Sequence, residues 1–105
     1  MMPNPECQTP SDSEPKALFA LGQLVATPGA LEKIQEAEQS PLELIARHVT
    51  GDWGQLDEED RNENKLSLEK GYRILSAYIL RSGVKVWVIT EADRSATTIL
   101  LPDEY

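Results

Sequence analysis

The chain has 105 residues, enough for about one domain, and 40% of them are apolar, the share that one modest core needs. Acidic side chains outnumber basic ones 18 to 10, a net charge of −8, which argues against a protein that grips DNA or RNA by its phosphates. A single cysteine excludes an internal disulfide, and Cys7 with His48 is too little for a zinc site, so neither a metal nor a cofactor is expected.

The opening residues Met1 to Cys7 lack a charged region followed by an apolar stretch, so no signal peptide is read there. No apolar run approaches the roughly 20 residues that span a bilayer. The expectation is a cytoplasmic protein with no membrane partner. Residues 1–15 hold four of the seven prolines, with Ser11, Asp12 and Ser13 between them, and read as a flexible tail. Within it Cys7 reads as an exposed free thiol. The remainder, 16–105, reads as one α+β domain.

A first helix is expected after Ser13 or Asp12 as cap and Pro15 in the first turn, with Leu18, Leu21, Leu24 and Val25 at helical spacing. Thr27-Pro28 starts a second helix, with Ala30, Leu31, Ile34 and Ala37 as its apolar stripe. Ser40-Pro41-Leu42-Glu43 reads as a capping box opening a third, with Leu42, Ile45, Ala46 and Val49 along one side and Gly51 as its stop. A tight loop, Gly51 to Gly54, follows. Asp57 caps a fourth helix over roughly 58–70, ending at Gly71, with only Leu66 and Leu68 to bury.

From Tyr72 the period changes. Tyr72 to Leu80 and Val84 to Thr90 are rich in β-branched and aromatic residues, with Ser82-Gly83 as a two-residue turn. That turn pairs Tyr78 with Trp87. It puts Leu75, Ala77, Ile79, Val86 and Val88 on one face, and Ile74, Tyr78, Leu80, Trp87 and Ile89 on the other. One face would take the helices, and the other the tail, the Trp53 loop or a second subunit. Ala96 to Leu101 is a third strand, stopped by Pro102. The architecture expected is α+β: N-terminal helices, then a three-stranded antiparallel meander.

His48 is the sole histidine, near a helix end and four residues before Asp52. It suits a general base held by that carboxylate, or a capping or half-buried structural histidine. Arg94, in the turn Glu91 to Ser95, could clamp a phosphate in bidentate fashion, or pair locally while Asp93 ties the turn to its own backbone. Thr97 and Thr98 point to opposite faces, so only one of them can join Ser76 and Tyr78. Trp53 reads as an exposed recognition anchor or as a core residue. The run Asp57-Glu58-Glu59-Asp60 could mimic nucleic-acid phosphates for a basic partner, or be a solvated first helical turn. No phosphate loop, nucleophile elbow or dinucleotide fingerprint is present.

Three segments carry a resemblance: Leu21 to Leu31, Arg47-His48-Val49-Thr50-Gly51-Asp52-Trp53-Gly54, and Trp87-Val88-Ile89-Thr90-Glu91-Ala92-Asp93-Arg94-Ser95. So does the ending Thr97 to Tyr105. Together they resemble a family of small "plasmid-related" bacterial proteins, over roughly residues 20–105. The resemblance implies a setting of plasmids, integrative elements and phages, and no activity. Some members are labelled type I restriction subunits, but this chain has no methyltransferase or cofactor motif.

Two functions follow. One is a small acidic mobile-element accessory protein, of anti-defence or nucleic-acid-mimic type, that binds a basic nucleic-acid-handling protein. The other is a metal-independent ribonuclease of barnase-like or RelE-like type. There His48 would be acid or base, with Asp52 near it, Arg94 would stabilise the phosphorane, and Thr97 or Tyr78 would orient it. The acidic balance favours the first. A third reading is an oligomer built on the apolar sheet face.

Overall fold

A computed structural model describes residues 17–105. The expected tail, its Cys7 and the proposed cap at Ser13 or Asp12 with Pro15 lie outside the described residues. The fold is α+β, with three helices and a four-stranded mixed sheet. In chain order the elements are β1 (Gln23–Ala26), α1 (Pro28–Glu36), α2 (Pro41–Val49), α3 (Glu58–Lys70), β2 (Ile74–Ile79), β3 (Lys85–Thr90) and β4 (Ala96–Leu100). A short 3₁₀ turn, Pro102–Glu104, ends the chain.

The three C-terminal strands form the expected antiparallel meander, and a fourth strand joins it, in the order β1-β4-β3-β2. That fourth strand, β1, replaces the expected first helix. Gly22 has φ +66, outside the helical region, and a Cβ there would collide with the backbone of Ser95. The chain turns at Gly22 and runs parallel to β4, pairing Gln23 with Ala96 and Ala26 with Ile99. Leu18, Leu21 and Leu24 have helical spacing by coincidence; tertiary pairing overrides it.

The helices start where the sequence places them. Thr27 Oγ1 accepts from the Ala30 amide and Pro28 occupies the first turn. Asp57 accepts from the Asp60 amide, and α3 ends on left-handed Gly71. At α2 the expected capping box does not form. Ser40 Oγ accepts from Leu42 N, and the Glu43 carboxylate instead accepts from the Gln39 side chain. The buried side of α2 is also rotated from the expected stripe: Leu44, Ile45 and His48 face inward, and Leu42 is 66% exposed. The buried residues of α3 are Asn64 and Ser67, not Leu66 or Leu68.

The hairpin register differs by one residue from that expected. Ala77 pairs with Trp87, and Tyr78 with Val86. Leu80 N donates to Val84 O and Gly83 N to Leu80 O, so Arg81-Ser82-Gly83 is a three-residue loop with Gly83 at φ +92. This is the bulge-type connection that a glycine in that place favours. Because side chains alternate, the slip exchanges the faces of the second strand. Ile74, Ser76 and Tyr78 now share a face with Val86, Val88 and Thr90. Helices α1 and α2 cover this face, with Ala30, Ile34, Leu44 and Ile45 packed on Tyr78, Val86, Val88 and Ile99. On the opposite face the ring of Tyr105 meets Trp87 edge-on at 5.8 Å.

Candidate functional site

The register brings three hydroxyls together under α2. Thr90 lies directly opposite Thr97 on neighbouring strands, and Ser76 lies on the same face of β2. His48, one helical turn after Leu44, reaches into that group. Its Nδ1 is 2.6 Å from Ser76 Oγ and its Nε2 2.8 Å from Thr90 Oγ1. Thr90 Oγ1 is 2.7 Å from Thr97 Oγ1, and Thr97 Oγ1 is 2.7 Å from the carbonyl oxygen of Leu21. All four side chains have no exposed surface.

The proton positions follow from the inventory of donors. A carbonyl only accepts, so Thr97 donates its one hydroxyl proton to Leu21. Thr97 therefore accepts from Thr90, and Thr90 accepts from His48 Nε2–H. Burial keeps the ring neutral, so the bare Nδ1 accepts from Ser76. His48 is thus the neutral Nε2–H tautomer, with both ring nitrogens occupied. Burial pushes its pKa down to about 4. The edge of Phe19 closes on its ring at 5.2 Å.

Asp52 does not serve His48. Its carboxylate takes Arg47 in a two-pronged contact at 2.7 and 3.3 Å, and the guanidinium holds it below the usual carboxylate range. The same Arg47 lies 4.5 Å above the Tyr78 ring. The Tyr78 hydroxyl donates to Asp52 O at 2.6 Å, and burial raises it to about 12. Tyr78 is therefore committed to the loop backbone and is not free to orient a substrate.

Arg94 is spent on carbonyl oxygens. Nη1 donates to Tyr72, Glu91 and Ala92, and Nη2 to Ser67, at 2.7–3.2 Å. The residue has φ +60 and clasps the end of α3 to the β3–β4 turn. Asp93 caps that turn by accepting from Ser95 N. Phe19 contacts both His48 and Arg94, lying 5.7 Å from the Arg94 guanidinium. The four residues His48, Asp52, Arg94 and Thr97 are thus not gathered around an open reacting centre. His48 and Thr97 share one sealed network, while Asp52 and Arg94 belong to two separate clasps.

Trp53 is 5% exposed and so is not a surface anchor. Its loop lies along the outer edge of β2, where Ala77 N donates to Trp53 O and Gln55 N to Ala77 O. Its indole nitrogen is buried and has no hydrogen-bond partner among the described residues. Asp57, Glu58, Glu59 and Asp60 are all exposed. Arg61, beside them, donates to the carbonyls of Leu56 and Gly54. Among the described residues no group of acids, His and Cys is placed to hold a metal, and no helix is long and apolar enough to cross a membrane.

Sequence reasoning missed Thr90, Asn64, Arg47 and Phe19. The alternation of Ser76, Thr90 and Thr97 was a usable signal for the first, once the strands are paired correctly. Comparison with protein-family models gives no match, and comparison with curated proteins and solved structures gives none either.

Proposed function

We propose that this chain is a non-catalytic binding module whose acidic α3 docks a basic nucleic-acid-handling protein. The supporting observation is the state of the acidic turn. Glu58, Glu59 and Asp60 are exposed, among the described residues no ion pair takes them, and the adjacent Arg61 is occupied by backbone carbonyls. Negative charge left unneutralised on a firmly held helix is what charge-steered docking requires. The helix is held by Asn64, whose amide both donates to and accepts from Leu75, and by the Arg94 contact with Ser67. With the resemblance to plasmid-related proteins, this favours an accessory protein of a mobile element, acting in the cytoplasm as an anti-defence or nucleic-acid-mimic factor.

The ribonuclease reading uses His48 and Arg94, but His48 is buried and Arg94 is bound to carbonyl oxygens, which counts against it. The test is affinity capture from host lysate at low and moderate salt, with wild type and Glu58→Lys/Glu59→Lys. The expected result is a protein partner that weakens with salt and is lost on charge reversal. A partner retained equally by the reversed variant, or bound RNA, would overturn the proposal.

A further inference from the structure

The two edges of the sheet are treated differently. On the β2 edge the outward-facing residues are Leu75 and Ala77. Asn64 satisfies the amide and carbonyl of Leu75, and the Trp53–Gln55 segment satisfies those of Ala77. The β1 edge has no such cover among the described residues. Gln23 and Thr27 turn their amides inward to Ser95 O and Ile99 O. By alternation Val25 also faces β4, and Leu24 and Ala26 turn theirs outward. Natural edges are usually guarded by proline, lysine or a bulge, and Gln23-Leu24-Val25-Ala26 has none of these.

We propose that β1 is the pairing edge for a second copy of this chain, giving a mixed eight-stranded sheet whose two β1 strands pair antiparallel across a two-fold axis at Val25. Charge selects this occupant. From Ala17 to Leu31 there is no ionisable side chain, in a chain of net charge −8. Two copies therefore meet without repulsion along this strip, where a basic or acidic partner would find nothing to pair with. The pairing is self-complementary, as a two-fold interface must be. Leu24 of each copy lies opposite Ala26 of the other, and their outward amides and carbonyls exchange hydrogen bonds in both directions. Beside the edge an apolar groove of about 120 Å³ runs between Leu24, Pro41, Leu42 and Ile45. Leu24 and Val25 are 47% and 43% exposed, and the second strand covers both. This proposal is independent of the reading of α3.

Val25 forms the central non-hydrogen-bonded pair, whose Cα atoms stand about 4.5 Å apart in antiparallel sheets, within disulfide range. The test uses the full chain. Sedimentation equilibrium up to millimolar concentration should show a dimer for wild type and at least a tenfold weaker one for Leu24→Lys, a change at an exposed site that leaves the fold intact. In a Cys7→Ser background, Val25→Cys should oxidise to a linked dimer, and Ser82→Cys at the hairpin tip should not. A monomeric wild type, a dimer indifferent to Leu24→Lys, or equal linking at both positions would overturn the proposal.

Discussion

Thr97 donates its hydroxyl to the carbonyl oxygen of Leu21, 76 residues earlier in the chain. That bond sets the direction of the hydrogen bonds behind it, through Thr90 to His48 Nε2–H, and the neutral ring then takes Ser76 at Nδ1. It also ties the segment before β1 to β4, so the network holds together α2, three strands and the N-terminal approach. Thr97→Val should therefore cost more than its size suggests. It removes a donor from the half-buried Leu21 carbonyl and an acceptor from the buried Thr90 hydroxyl. Each group left unsatisfied is worth about 1–3 kcal/mol. Urea denaturation should show a clear loss of stability with an unchanged slope.

The histidine makes the fold sensitive to acid. The unfolded chain takes up a proton on His48 near pH 6.5, and the folded one refuses it until about pH 4. The stability that comes from keeping the ring neutral is complete above pH 6.5 and is lost as pH falls below it. At about 1.4 kcal/mol for each pH unit, the loss reaches roughly 3 kcal/mol by pH 4. A His48→Gln variant should lose less over that window. The difference between the two proteins isolates the histidine from the carboxylates, which titrate in both.

Arg94→Lys should destabilise the protein by about 2 kcal/mol, since an ammonium cannot reach carbonyls on two sides as the guanidinium fork does. Thermal melting measures this. Partner capture by the folded variant should be unchanged, which separates a clasp from an anion-binding role.

Gly54→Ala should be among the most damaging single changes. Gly54 has φ +77, and a Cβ would run into the Ala77 carbonyl and the Tyr78 ring. Backbone on one side and a buried ring on the other leave little room to yield. A cost of about 2–4 kcal/mol, seen as a drop of several degrees in Tm, is expected. Gly71→Ala meets no such obstruction and should cost only the strain of its φ +80.

Much of this was legible in the residues. Thr27-Pro28, Ser40-Pro41 and Asp57 mark three helix starts, and Gly71 marks an end, because caps and stops are local chemistry. The β-branched runs after Tyr72 mark the meander for a similar reason. The failures were those of long-range pairing. Nothing local separates Leu18 to Val25 as a helix from Gln23 to Ala26 as a strand seated on β4. The hairpin register turned on whether Arg81 belongs to the loop, and one residue there exchanges a face. His48 read as a polar residue near a helix end because its hydroxyl partners come from two strands that follow much later in the chain. For Arg94 the alternatives of an anion clamp and local pairing stayed open, because carbonyl acceptors on α3 and at Tyr72 leave no mark in sequence.

The sole histidine is a sealed structural element, with both ring nitrogens bonded inside the protein. The direct measurement is a pH titration of the imidazole ¹⁵N and ¹H resonances in the folded protein. A single neutral Nε2–H tautomer that persists without titrating until about pH 4 is expected. An imidazole that titrates near pH 6.5, or that carries its proton on Nδ1, would contradict it and return His48 to the role of acid or base.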